Sequence, residues 1–118
     1  MGQPVVHWEI QAKDGQKLQD FYSSLFDWKA TVDEAMNYRM FESDGDGGIG
    51  GGIATVQDTP PLLTFYVQVD DLQAYLNKAE GLGGKTVMPP MDIPGTGRSI
   101  ASFSDLEGNT IGLFQGGQ

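Results

Sequence analysis

Between residues 5 and 12 the chain alternates. Trp8, Ile10 and Ala12 fall on one side, and His7, Glu9 and Gln11 fall on the other. A period of two is that of a strand with an apolar face for a core and a polar face for water or a cavity. Asp14 follows as a helix cap, placed to accept the orphan N–H groups of a first turn. Leu18, Phe21, Tyr22 and Leu25 then recur at i, i+3, i+4 and i+7, one stripe of a helix that stops near Asp27. Residues 28–32 and 38–43 read as strands, residues 44–48 as a turn cluster, and residues 50–56 as a glycine-rich fourth strand.

The second half repeats the plan. Thr59-Pro60-Pro61 breaks the chain, and residues 63–69 alternate again, with Phe65, Val67 and Val69 on one face and Thr64, Tyr66 and Gln68 on the other. Asp70 or Asp71 caps a helix whose stripe is Leu72, Tyr75, Leu76, Ala79 and Leu82, ended by Gly83-Gly84. Strands are expected at residues 85–88, 98–104 and 110–115. Residues 89–97, with three prolines and two glycines, are expected to be a loop, and residues 105–109 a hairpin turn. An offset of 57 (Asp71 against Asp14) aligns Gln68 with Gln11, Val67 with Ile10, Leu82 with Leu25 and Thr64 with His7. The expected fold is therefore α+β: two tandem βαβββ modules, 1–58 and 59–118, in which a curled, mostly antiparallel sheet surrounds a cup and the helices lie outside.

Composition narrows the function. With 118 residues the chain is one domain or two half-domains sharing a core. Cysteine is absent, which removes disulfides, thiolate chemistry and cysteine metal sites. A net charge of −9 with only seven Lys and Arg leaves no basic face for phosphates, so no nucleic-acid partner is expected. No apolar run approaches the ~20 residues that span a bilayer, and the start of the chain has no targeting pattern, so no membrane partner and a cytoplasmic location are expected.

The chain resembles the vicinal-oxygen-chelate superfamily of glyoxalase I, bleomycin-resistance proteins and extradiol dioxygenases, and within it a bacterial glyoxalase-related subgroup. The resemblance is carried by His7, by Phe21-Tyr22 and Leu25-Phe26-Asp27-Trp28, by Gly48-Ile49-Gly50-Gly51-Gly52-Ile53, and by Val69-Asp70-Asp71. It continues in Leu82-Gly83-Gly84-Lys85 and in the ending Asp105-Leu106-Glu107-Gly108-Asn109-Thr110-Ile111-Gly112-Leu113. It implies a homodimer and a divalent metal held by four strands. Its four ligand positions fall on His7, near Gly51, on Thr64 and on Gly112. Glycine offers no side chain, and His7 with Glu9 is short of the roughly three or four donors a tight site needs, so no metal and no cofactor are expected.

What the polar faces of the two first strands do is then open. His7 is either a hydrogen-bonding group or base for a ligand, or a strand histidine satisfied by a neighbour; an unperturbed pKa of about 6.5 suits acid–base work. Glu9, Gln11, Tyr66 and Gln68 either line a ligand site or form a solvated face. With Thr64 and Gly112 they complete the expected small-molecule site, whose glycines would enlarge the cup floor. Trp8, Trp28, Phe21 and Tyr22 are expected in the core, and Arg39 and Arg98 at the surface unless one points inward to hold an anion. The leading reading is metal-independent binding of a small organic molecule. The alternative is a lyase or isomerase on a small carbonyl or hydroxy compound with Glu9 or His7 as base, and a plain interaction module is a third.

Three motif matches fail on context. Gly45-x-Gly47-x-x-Gly50 lacks a following helix, Gly84-Lys85-Thr86 lacks the upstream glycine of a P-loop, and Asp44-x-Asp46 lacks the glutamate a calcium loop needs, since Thr55 stands there.

Overall fold

The computed structural model describes residues 2–42, 48–58 and 60–116. The turn expected at residues 44–48 therefore lies outside the described residues except for Gly48. Gly45 and Gly47, both residues of the Asp44-x-Asp46 pair, Ser43 and Thr59 lie outside them as well. The fold is α+β. The described elements run β1 (Val5–Ala12), α1 (Gly15–Phe26), β2 (Ala30–Asp33), β3 (Tyr38–Phe41), β4 (Gly51–Thr55), β5 (Leu62–Gln68), α2 (Leu72–Gly81), β6 (Lys85–Ile93), β7 (Arg98–Ser104) and β8 (Thr110–Gly116). Two compact units form: one is His7–Thr64, the other Met1–Val6 together with Phe65–Gln118.

Each unit has a βαβββ plan. In the first, the strand order is β2-β3-β4-β1; β2–β3 and β3–β4 are antiparallel, and β1 lies parallel to β4, with Trp8 opposite Gly51 and Glu9 opposite Gly52. In the second the order is β5-β8-β7-β6, with β5 parallel to β8, Tyr66 opposite Gly112 and Val67 opposite Leu113. The helix after the first strand carries the chain across the sheet, so the last strand can return beside the first in the same direction.

Both helices begin as the sequence predicts. The Asp14 carboxylate accepts from the Lys17 N–H at 3.0 Å, and Asp71, not Asp70, accepts from the Ala74 N–H at 3.1 Å. Helix α1 ends at Asp27, which takes a left-handed conformation (φ 64°) and donates its N–H to the Ser23 carbonyl. Gly83, at φ 106°, makes the equivalent reversal after α2 without the steric cost that a side chain would bring.

One expected loop is a strand. Residues 89–93 belong to β6, which continues through Pro89 and Pro90. The strand order places β6 at the edge of its unit's sheet, where a proline need not donate to a neighbour. The pairing with β7 shifts register between Thr86 and Met88 and again between Met88 and Met91, so irregular steps absorb the prolines. The turn is confined to residues 94–97, with Gly95 and Gly97 at positive φ.

The core of the first unit is Ala12, Phe41 and Ile53, with Trp8, Ile10, Leu18 and Tyr22 packed against it. That of the second is Val69, Leu72, Leu76, Ala101 and Leu113, with Val67, Tyr75 and Phe103. In each case the apolar face of the first strand meets its helix, which turns the polar face the other way. Among the described residues no helix is long and apolar enough to cross a membrane.

Candidate functional site

The polar face of the first unit is built by β1, β4 and β3. Register puts His7, Glu9 and Gln11 of β1 on the same side as Gly52 and Ala54 of β4 and as Tyr38 and Met40 of β3. Gly51 sits opposite Trp8 on the helix side, where an added Cβ would overlap the Trp8 indole. The fourth-strand position on the polar face is therefore Gly52.

That glycine is not an empty floor. A Cβ at Gly52 would overlap the ring and hydroxyl of Tyr38, so the phenol lies across the glycine. The Tyr38 hydroxyl then reaches His7 Nε2 at 2.7 Å, and the two rings are nearly parallel, 19° apart with centroids 6.3 Å apart. Glu9 is buried, 8% exposed, and its Oε2 accepts from Gln11 Nε2 at 3.1 Å. The same arrangement recurs in the second unit: Tyr66 stands opposite Gly112, and a Cβ at Gly112 would overlap the Tyr66 ring. The expectation that the two glycines enlarge the floor is corrected. Each glycine is the space that a tyrosine ring fills.

The site residues expected from sequence divide accordingly. His7, Glu9 and Gln11 gather on one face of the first unit with Tyr38. Tyr66, Gln68 and Gly112 share one face of the second unit, with Phe114 opposite Gln68. Thr64 is a buried residue of β5. Tyr38 is absent from the expected set, yet the sequence does carry a signal. Phe41 belongs to the core, so alternation along β3 sends Tyr38 and Met40 to the polar side.

The same alternation sends Arg39 to the helix side, which corrects its expected place at the surface. Arg39 is 8% exposed. Its guanidinium donates to Asn37 Oδ1 at 2.7 Å, Gln19 Oε1 at 3.2 Å and Thr55 Oγ1 at 3.3 Å, tying α1 to β4. Gly15 allows this approach, since a Cβ there would stand 2.8 Å from Nη1. Arg39 is thus a structural residue. Arg98 is exposed and lies over the Phe114 ring, 5.9 Å from its centroid. Trp8 and Tyr22 pack on the core as expected, while Phe21 and Trp28 are exposed.

Burial lowers the His7 pKa from the ordinary 6.5, because desolvation disfavours the imidazolium. The folded protein therefore holds His7 neutral under conditions where the unfolded chain has begun to protonate. Stability from this group is at full value above the unfolded pKa and is lost as pH falls through the lowered folded value. Urea midpoints taken from about pH 8 to about pH 5 should fall more steeply in the wild type than in His7→Gln. The variant subtracts the carboxylates' own titration, and equal slopes would mean that the imidazole is not held neutral.

The side chains present do not make a chelating set for a divalent ion. Among the described residues no group of three or more His, Cys, Asp or Glu converges. His7 already meets the Tyr38 hydroxyl, and Gly52 and Gly112 contribute no donors. The face offers instead an imidazole, a phenol, a carboxylate and a primary amide, which suit hydrogen bonding and proton transfer to an organic molecule.

Comparison with known proteins shows the family. The family model described as the Glyoxalase/Bleomycin resistance protein/Dioxygenase superfamily matches residues 5–113. The anthracycline biosynthesis protein DnrV of Streptomyces peucetius is 32% identical over 128 residues, covering 92% of this chain and 46% of that protein. A glyoxylase-like domain-containing protein of Didymella fabae is 30% identical over 109 residues, covering 86% of this chain and 85% of that protein. The chain thus spans less than half the length of the Streptomyces relative. Among solved structures, a glyoxalase/bleomycin resistance protein/dioxygenase superfamily member from Vibrio splendidus 12B01 shares the fold, with a TM-score of 0.69 at 13% identity over 98% of this chain and 100% of that one.

Proposed function

The chain belongs to the glyoxalase/bleomycin resistance protein/dioxygenase superfamily, and from that premise we propose that it binds a small organic molecule on the polar face of β1 without a metal. The observation that carries this reading is the ring of Tyr38 laid over Gly52 with its hydroxyl on His7. It replaces a position from which a side chain could chelate with an aromatic surface bordered by hydrogen-bonding groups. A homodimer in a cytoplasmic setting belongs to the same reading; the absence of cysteine supports the setting.

The test has two arms on untagged protein. Elemental analysis and thermal shifts with Mg, Mn, Ni, Zn and Fe should find no stoichiometric metal and no stabilisation. A small-molecule screen should find a ligand whose stabilisation rises with concentration, reaching about 2.7 kcal/mol at a hundredfold excess over Kd. That stabilisation should be lost in Glu9→Gln and reduced in Tyr38→Phe. A stoichiometric metal that disappears in His7→Ala would overturn the reading and favour a chelate enzyme.

A second reading rests on one specific observation: an imidazole bonded to a phenol, on the same strand face as a buried carboxylate, is also a proton-transfer set. It describes a lyase or isomerase acting on a small carbonyl or hydroxy compound. It requires turnover of the screened ligand that vanishes in Glu9→Gln with the fold intact.

A further inference from the structure

The two units share a plan but not a filling. In the first, the corner between α1 and the start of β1 is packed with rings. Trp28 lies 5.3 Å from Trp8, 5.9 Å from Tyr22 and 5.0 Å from Phe26, centroid to centroid. The helix caps Asp14 and Asp71 stand 57 apart, which puts Ala79 at the position of Tyr22; the left-handed residues that end the helices, Asp27 and Gly83, stand 56 apart, which puts Leu82 and Gly84 at the positions of Phe26 and Trp28. None of these three positions carries a ring in the second unit.

On the helix side of the second unit lies an open apolar groove of about 440 Å³. Val67, Phe103 and Leu113 of the sheet line it, together with Tyr75 and Ala79 of α2. Leu82 and Leu106, both strongly exposed, stand at its border. The polar groups there are few. Lys78 directs its ammonium over the Tyr75 ring, 5.9 Å from the centroid. The Asp105 carboxylate is engaged by its own turn, accepting from the Glu107 and Asn109 N–H groups and from Asn109 Nδ2. The volume lies in the range of small-molecule pockets, roughly 300–1,000 Å³.

We propose that this groove is a second binding site, separate from the polar face of β1, for an uncharged planar aromatic molecule of about two or three fused rings. The ligand takes the place that the Tyr22, Phe26 and Trp28 side chains take in the first unit. One flat face meets Val67 and Phe103 of the sheet, and its edge meets Ala79. The site does not depend on the function proposed for His7 and Glu9.

The probe is 2-naphthol, titrated into the full chain with amide chemical shifts recorded. Saturable binding tighter than about 1 mM is expected. The shifts should centre on residues 67–69, 75–79 and 103–106 and spare residues 7–11. Ala79→Tyr restores the residue found at the repeat position and should weaken binding by about tenfold or more. No saturation, or shifts centred on residues 7–11, would overturn the proposal. So would an Ala79→Tyr variant that folds and binds unchanged. Shifts at residues 82 and 106 that follow protein concentration rather than naphthol would mean a second copy of the chain covers the groove, and would overturn it too. If Ala79→Tyr does not fold, the wild-type shift map decides alone.

Discussion

Gly52→Val should destabilise the protein by about 1–3 kcal/mol, the usual cost of forcing extra carbon into a packed position. The new Cβ would occupy the space of the Tyr38 phenol, so the ring must swing away. His7 then loses the hydroxyl at Nε2. Two effects should follow together: a lower urea midpoint, and an imidazole whose titration moves back toward 6.5 as water reaches it. A double-mutant cycle with Tyr38→Ala separates them. Once the ring is gone, valine at position 52 should cost much less, giving a coupling of about 0.5–3 kcal/mol. A Gly52→Val protein of wild-type stability with an unchanged His7 titration would mean that the ring does not lie over the glycine.

Leu76→Ala should cost still more, about 2–5 kcal/mol. Leu76 is 1% exposed at the centre of the cluster formed by Val69, Leu72, Ala101 and Leu113, so truncation leaves a hole that rigid strands close poorly. A domain of this size has about 5–15 kcal/mol of total stability, so the variant should sit near the edge of folding. Leu25→Ala is the contrast. It belongs to the equivalent stripe of α1 but is 57% exposed, and its replacement should stay within about 1 kcal/mol. Chemical denaturation of the two variants measures the difference directly, and equal losses would contradict the packing described for α1 and α2.

The Leu76 and Leu25 pair shows where sequence reading stops. Both fall on the apolar stripe of a helix, and periodicity gives each the same claim to the core. A stripe states which side of a helix turns inward, but not how much sheet lies beneath each turn. Phe21 and Leu25 of α1 stay exposed although both fall on its apolar stripe. Arg39 makes the opposite point, because a guanidinium reads as a surface group until three side-chain oxygens are brought to it from Gln19, Asn37 and Thr55. Pro89 and Pro90 read as loop residues because local chemistry alone cannot tell an edge strand from a turn.

The sequence by itself determined the repeat, the βαβββ plan of each half, the helix cap at Asp14 and a second cap at Asp70 or Asp71, and the division of β1 into an apolar and a polar face. These follow from periodicity and from the local hydrogen bonding of single side chains, which the chain carries wherever it goes. The tertiary structure alone decided that Tyr38 crosses Gly52 to reach His7, that Tyr66 covers Gly112, and that an open groove remains beside Ala79. Each of these depends on which residues of separate strands or helices stand opposite one another. Register between strands and the volume left between a helix and its sheet are set by packing across the fold, not by any local stretch of the chain.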